Sequence, residues 1–317
     1  MSQESTLPAP YIVVLGSLNM DLVLKVPHAP AAGETLLGRS IHHIPGGKGG
    51  NQAVACARQG ARVSLIGCIG ADADGEALRT ALQDDGIDTD ALRTDAGQPT
   101  GTALVMVEDS GQNRIVVIAG ANASLQIDEA TLGPQLASAD FLVTQFETPM
   151  AEVVRGMALA QKAGCKVLLN PSPMQPFDAA LWPLIDTLVV NEVEAGALAG
   201  RAVATASEAA EAGAALRRRG VARVIVTLGG AGAVAIDADG ARHHPAPQVQ
   251  VVDTTAAGDT FLGVVGVALA SKSSLDDAVA LGIRAAALCV TRPGAQPSIP
   301  TRDEVLRSPV APTWTDL

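Results

Sequence analysis

Val251-Val252-Asp253-Thr254-Thr255-Ala256-Ala257-Gly258-Asp259-Thr260-Phe261 passes from an apolar run, through small residues, into a helical pattern over Ala257–Ala270. Read as strand, turn and helix, with the strand near Val249–Val251, it predicts one unit of an α/β fold. Successive N–H groups at Ala256, Ala257 and Gly258 then face one concavity, and the helix adds its positive dipole end. Such a cradle is an anion hole, and the small side chains let a phosphoryl group approach the backbone. Asp259 sits beside it in the first helical turn. An acid there ordinarily complements the dipole, by about 0.3–1 kcal/mol; next to a phosphate cradle it is also placed to serve as a general base.

Upstream, short apolar runs alternate with helical patterns. Tyr11–Leu15 reads as a buried strand running into Gly16-Ser17. Asp21–Val26 and Thr35–Ile44 are more polar and return at Gly46-Gly47, an excursion that reads as a small sheet standing off the main body. A helix follows from Asn51 to its stop at Gly60, then strand Arg62–Gly67, helix Gly75–Asp84, and two strands, Thr102–Glu108 and Arg114–Ala119, about the turn Asp109-Ser110-Gly111. The alternation then becomes regular through Phe141–Thr144, Ala151–Lys162, Lys166–Asn170, Thr187–Val190, Glu192–Leu198, Ser207–Arg218 and Arg223–Leu228. Ala233–Ile236 and the helices Ala257–Ala270 and Leu275–Val290 complete it. The pattern predicts a mostly parallel sheet covered on both faces, with ligands outside the carboxyl ends of its strands. No linker or internal repeat divides the 317 residues, so one domain with a small appendage is expected.

Composition narrows the chemistry. Apolar residues make up 48% of the chain and aromatics only 2%, so Ala, Val, Leu and Ile fill the core. A formal charge of -11 excludes the basic face that non-specific nucleic-acid binding needs. Cys56, Cys68, Cys165 and Cys289 lie in apolar stretches without CxxC spacing and read as buried thiols of a reducing compartment. No apolar run reaches the ~18 residues a membrane span requires, and the N-terminal MSQESTLPAP lacks the basic and apolar regions of a signal, so a frayed tail and a cytoplasmic protein are expected.

Two nucleotide motifs can be set aside. Gly46-Gly47-Lys48-Gly49-Gly50-Asn51 lacks P-loop spacing and has no Ser or Thr after Lys48, and Gly16-Ser17-Leu18-Asn19 is not the G-x-G-x-x-G of a dinucleotide fold. Asn191 and Glu194 have the spacing of a capping box, and equally that of a polar pair at a strand end. Asn19-Met20-Asp21 reads as a turn and Gly46-Gly47 as loop punctuation, yet both flank the same excursion.

The stretches GSLNMDLV, PGGKGGNQAVA, IAGANASL, NEVEA, VDTTAAGDTF and TRPGAQPSIP, in this order and spacing, resemble the ribokinase family of carbohydrate kinases from Val13 to about Pro300. The resemblance implies a three-layer α/β/α fold with a central mostly parallel sheet, and a small β-sheet lid formed from about 21–47 and about 102–119. It implies an ATP-dependent sugar kinase in which Asp259 takes the proton of a sugar hydroxyl and Ala256, Ala257 and Gly258 form the anion hole. Ribose, phosphorylated at its 5-OH, is the implied acceptor. Asn19, Asp21, Gly46, Gly47, Lys48, Asn51 and Glu147 are the implied sugar contacts, a polar mixture suited to hydroxyls that both donate and accept. Asn191, Thr227, Gly229, Gly232 and Gly258 fall on the ATP side, and Glu194 on Mg²⁺ through water. Asp253, Thr255, Cys289, Arg292, Gly294 and Ser298 match the positions of a K⁺ activator, several through backbone carbonyls. The lid also implies a homodimer.

Met20 departs from the smaller residue many members carry and would bias the pocket toward 2-deoxyribose. A kinase of deoxyribose, a nucleoside or another furanose is therefore the second reading. A non-catalytic sugar-binding regulator is the third; such a protein should lack the base or the anion-hole glycine, and this chain keeps both.

Overall fold

The computed structural model describes residues 8–176, 178–308 and 314–317; most of the N-terminal stretch read as a tail lies outside them. In chain order the first half contains β1 (Tyr11–Leu15), β2 (Asn19–Val26), β3 (Ser40–Gly46), α1 (Lys48–Arg58), β4 (Arg62–Gly70), α2 (Ala73–Asp84), β5 (Leu92–Asp95), β6 (Gly101–Glu108), β7 (Asn113–Ile118), α3 (Glu129–Ser138) and β8 (Phe141–Gln145). The second half contains α4 (Met150–Ala163), β9 (Lys166–Asn170), β10 (Thr187–Asn191), α5 (Glu192–Ala199), α6 (Ala206–Arg217), β11 (Arg223–Thr227), β12 (Ala233–Asp237), β13 (Gly240–His244), α7 (Ala257–Ala270), α8 (Leu275–Cys289), α9 (Arg302–Arg307) and β14 (Thr315–Asp316).

The main sheet runs β14-β13-β12-β11-β10-β9-β8-β1-β4-β5. From β11 to β5 neighbouring strands are parallel, while β12, β13 and β14 close one edge antiparallel. Strand alternation sorts side chains onto two helical layers. Ile12 and Val14 pack in one core with residues of α1, α2, α7 and α8, whereas Tyr11, Val13 and Leu15 pack in the other with residues of α3, α4, α5 and α6. The architecture is thus the expected three-layer α/β/α sandwich. Because β1 pairs β4 on one side and β8 on the other, the order reverses between β1 and β8, and a crevice opens beyond their carboxyl ends.

A second sheet, β3-β2-β6-β7, stands on that crevice. Here β2 pairs β3 antiparallel, with Asn19 opposite Gly46, and pairs β6 in parallel, with Asn19 opposite Gly101. The strands of this sheet fall within 19–46 and 101–118, and Thr35–Ile44 contributes strand only from Ser40. The expected strand near Val249–Val251 does not form: these residues pair with no strand, and Val249 and Val251 line a cavity instead. An apolar run at the rim of a ligand cavity and a buried strand look alike in sequence. Among the described residues no helix is long and apolar enough to cross a membrane.

Candidate active site

The residues expected to contact the sugar gather where β1 and β8 terminate. Glu147, just past β8, accepts from Ser17 Oγ at 2.5 Å and from the Lys48 backbone N–H at 3.1 Å, joining the two strand ends to the start of α1. Asn19 and Asp21 share one face of β2. Asn19 Oδ1 accepts from Asn122 Nδ2 at 2.9 Å, and Asn122 also pairs with both backbone groups of Leu18, each at 2.9 Å. The Asp21 carboxylate lies against Gly46: a Cβ at that position would sit 2.4 Å from Asp21 Oδ2, so a side chain there would have to displace the carboxylate. Gly47, the residue before α1, has φ 83°, a left-handed conformation that favours glycine. Burial, then Glu147 and Asp259, push Asp21 up to about 7. Burial works to neutralise Lys48, but Asp259, Glu147 and Glu194 outweigh it and hold its ammonium above the usual lysine value.

Met20 lies on the other face of β2, in the core with Leu18 and Ala53. Its neighbours in sequence point to the sugar end and it does not. Met20 therefore gives the pocket no bias toward deoxyribose.

Asp259 is buried in the first turn of α7. Its Oδ2 accepts from Asn51 Nδ2 and its Oδ1 from Gln52 Nε2, both at 2.9 Å, so α1 holds the carboxylate from the sugar end. Ala256, before the helix, adopts φ 60° and ψ 8°, a left-handed conformation that costs a non-glycine residue roughly 1 kcal/mol. The turn differs in one respect from the expected cradle: the Ala257 N–H donates to Thr254 O at 3.3 Å. The Ala256 and Gly258 amides have no acceptor among the described residues and are free to donate to a ligand.

Two cavities meet at this turn. One, of about 310 Å³, is lined on one side by Thr227, Gly229, Gly232 and Val249 and on the other by Phe261, Ile283 and Ala286. The other, of about 220 Å³, is lined by Lys48, Asn191, Glu194 and Asp259. Thr227, Thr254, Ala257 and Gly258 line both, so an elongated ligand could run from the apolar chamber to the carboxylate. Asn191 and Glu194 do form the capping box, with Oδ1 accepting from Glu194 N–H at 2.8 Å and Oε2 from Asn191 N–H at 3.0 Å. Only one carboxylate oxygen of Glu194 is used, and both residues still face the cavity.

The positions matched to a monovalent cation also converge. Asp253 Oδ1 accepts from Thr255 N–H at 2.9 Å and Thr255 Oγ1 at 2.6 Å, and Oδ2 accepts from Gly294 N–H at 2.9 Å. Burial works against the Asp253 anion, but these bonds hold its carboxyl below the usual range. Cys289 Sγ lies 3.7 Å from Thr255 O and 3.0 Å from Ser298 Oγ. The Arg292 side chain points elsewhere, to Glu304 at 2.7 Å, so only its backbone belongs to this loop. One carboxylate with hydroxyl and carbonyl oxygens is a hard donor set, which fits K⁺. Among the described residues no three His, Cys, Asp or Glu gather as a metal cluster.

Sequence reading missed Gln52, Asn122, Ser17 and the apolar chamber wall from α8. Gln52 and Asn122 lay within motifs already singled out, GGKGGNQAVA and IAGANASL, which was the only signal available.

A buried carboxylate beside backbone amides, at a junction between a polar crevice and an apolar chamber, defines a phosphotransferase site built on an α/β sandwich. Residues 9–302 match the model of the pfkB family carbohydrate kinases. The chain is 42% identical to the ribokinase of Haemophilus influenzae over 296 residues, covering 93% of this chain and 97% of that one. It is 38% identical to the ribokinase of Schizosaccharomyces pombe, covering 93% and 96%. Its structure is similar to that of Arabidopsis thaliana ribokinase complexed with ribose and ATP, with a TM-score of 0.89 at 34% identity, covering 94% of this chain and 98% of the other. The chain belongs to the pfkB family of carbohydrate kinases.

Proposed function

We propose that this chain is a ribokinase in activity: it transfers the γ-phosphoryl group of ATP to the 5-hydroxyl of D-ribose, giving D-ribose 5-phosphate and ADP. The observation that carries the reading is the position of Asp259, which is tied to the sugar end through Asn51 and opens the helix whose first residues line both cavities. The relatives named ribokinase, matched over nearly their whole length, support ribose as the acceptor.

In this reading ribose lies among Asn19, Asp21, Gly46, Gly47, Lys48, Asn51 and Glu147. Its 5-hydroxyl displaces Asn51 from Asp259 Oδ2, which takes the proton as the oxygen attacks the γ-phosphorus. The Ala256 and Gly258 amides, with the α7 dipole, stabilise the transferring phosphoryl group. Adenine occupies the apolar chamber beside Gly229 and Gly232, and the phosphates pass Thr227 and Asn191. Glu194 with Asn191 would hold Mg²⁺ through water, and the ion supplies charge neutralisation to the phosphates. Asp253, Thr255, Ser298 and the backbone of Cys289, Arg292 and Gly294 would hold K⁺, a fixed positive charge next to the anion-hole turn.

The whole chain is read as one kinase domain with the four-stranded sheet as its lid. Exposed Ile41, Ile115, Val116 and Val117 on that sheet support pairing of two lids in a homodimer, and the buried free thiols support a cytoplasmic location. ADP release measured with ribose, 2-deoxyribose, fructose and adenosine, with and without K⁺, tests the reading. Ribose should give the highest kcat/KM and K⁺ should raise it. Equal or higher turnover on deoxyribose or adenosine overturns the acceptor assignment, and nucleotide and sugar binding without turnover would mark a regulator.

A further inference from the structure

Asn51 and Gln52 are adjacent in α1 and both donate to Asp259, but their surroundings differ. Asn51 keeps an unpartnered Oδ1 and is 5% exposed, so it has hydrogen-bonding capacity left for a ligand. Gln52 is 0% exposed, lines neither cavity at the active site, and has both ends of its amide filled by protein. Its Nε2 meets Asp259 Oδ1 at 2.9 Å and its Oε1 accepts from Nε2 of Gln145, the last residue of β8.

The order of this relay follows from donor chemistry. A carboxylate only accepts, so Gln52 must turn its NH₂ toward Asp259, which leaves its carbonyl facing Gln145. Gln145 then has to donate, and a flipped Gln52 would set two NH₂ groups against each other. Backbone packing leaves room for each member. A Cβ at Gly16 would lie 2.2 Å from Gln145 Oε1, and a Cβ at Gly263, one turn along α7 from Asp259, would lie 2.5 Å from Ala55 Cβ and 3.1 Å from Gln52 O. The missing side chain at Gly263 lets α1 and α7 cross closely enough for Gln52 to reach the carboxylate.

Resting on the reading of Asp259 as the base, we propose that Gln52 is its positioning residue, oriented by Gln145. Oδ1 stays anchored to Gln52 while Oδ2 exchanges Asn51 for the sugar hydroxyl. Without the anchor the carboxylate rotates about its side-chain bonds and the reacting oxygen leaves its line to the hydroxyl, a misplacement that costs about 10²-fold when it reaches 1 Å.

Steady-state kinetics and ribose calorimetry on Gln52→Met, Gln145→Met and the double variant test this. Gln52→Met should lower kcat about 30-fold and Gln145→Met about 5-fold, with ribose KM and Kd within about threefold of wild type in both. The double variant should be no slower than Gln52→Met, because the two act in series. A kcat within twofold of wild type in Gln52→Met, ribose affinity that falls in step with kcat, or losses that multiply in the double variant would each overturn the proposal. If Gln52→Met does not fold, an unchanged kcat in Gln145→Met overturns it. Wild-type protein inactive on ribose would instead defeat the kinase reading itself, whereas an active wild type with unaffected variants defeats only this inference.

Discussion

Asp21, one of the proposed ribose contacts, is a buried carboxyl whose ionisation opposes folding. It is buried on Gly46, accepts no hydrogen bond among the described residues, and faces Glu147 and Asp259, which together with burial raise it from 3.8 to about 7. The folded protein therefore retains a proton that the unfolded chain has released. That contribution to stability is full below about pH 4 and is lost as pH rises through about 7. Asp21→Asn removes the ionisation, so the variant should gain on wild type across this window and most above it. A rise from 3.8 to about 7 corresponds to about 4 kcal/mol; Glu147 and Asp259 share the strain, so a gain of about 2 kcal/mol is expected at pH 8, or roughly 4 °C in Tm. At pH 5.5 wild-type Asp21 is protonated in the folded state and the gain should be about half or less. Thermal unfolding of both proteins without sugar, at pH 8 and 5.5, measures this. An Asp21→Asn protein no more stable than wild type at pH 8, or equally stabilised at both pH values, would refute the reasoning. The same variant should bind ribose at least about 10-fold more weakly, since a buried sugar hydroxyl loses its carboxyl partner.

Gly46→Ala places a methyl 2.4 Å from Asp21 Oδ2 and must displace that carboxylate; ribose KM should rise more than about 10-fold while ATP KM changes little, as initial-rate kinetics will show. Arg58, the last residue of α1, donates to Gln296 O at 2.7 Å and Ile299 O at 2.8 Å while its other nitrogens meet Asp85 at 2.8 and 3.0 Å. Arg58→Ala leaves the buried Ile299 carbonyl without a partner and Gln296 O with only the Ile299 N–H at 3.3 Å, and should cost about 2 kcal/mol in chemical denaturation. It should also raise the K⁺ concentration for half-maximal activity, because those carbonyls belong to the loop that carries Gly294 and Ser298.

The parallel strands were legible because each is a short apolar run closed by small residues, and Tyr11–Leu15 and Lys166–Asn170 have the extents read from sequence. Strands at the edges were not. Leu92–Asp95, at one edge, and Gly240–His244, covered on its outer side only by the two residues of β14, are polar because they lie at or next to the water-facing rims of the sheet, and nothing in their composition separates them from loops. Val249–Val251 failed in the opposite sense, being apolar for a cavity rather than for a sheet. At the site, Asp259 and the glycines were readable because their roles are local to a turn. Gln52 and Asn122 were not, because their partners are distant in sequence: Gln52 meets Asp259 207 residues away and Asn122 meets Asn19 103 residues away. Met20 could have been placed: strand alternation between Asn19 and Asp21 already sends it to the opposite face.

The most direct test of the account is ribose-dependent ADP formation by wild type and by Asp259→Asn, which keeps the size of the side chain and removes the base. If Asp259 is the base, kcat should fall by about 10²–10⁴ in the variant with ribose binding largely retained. Turnover in Asp259→Asn within a few-fold of wild type would contradict it.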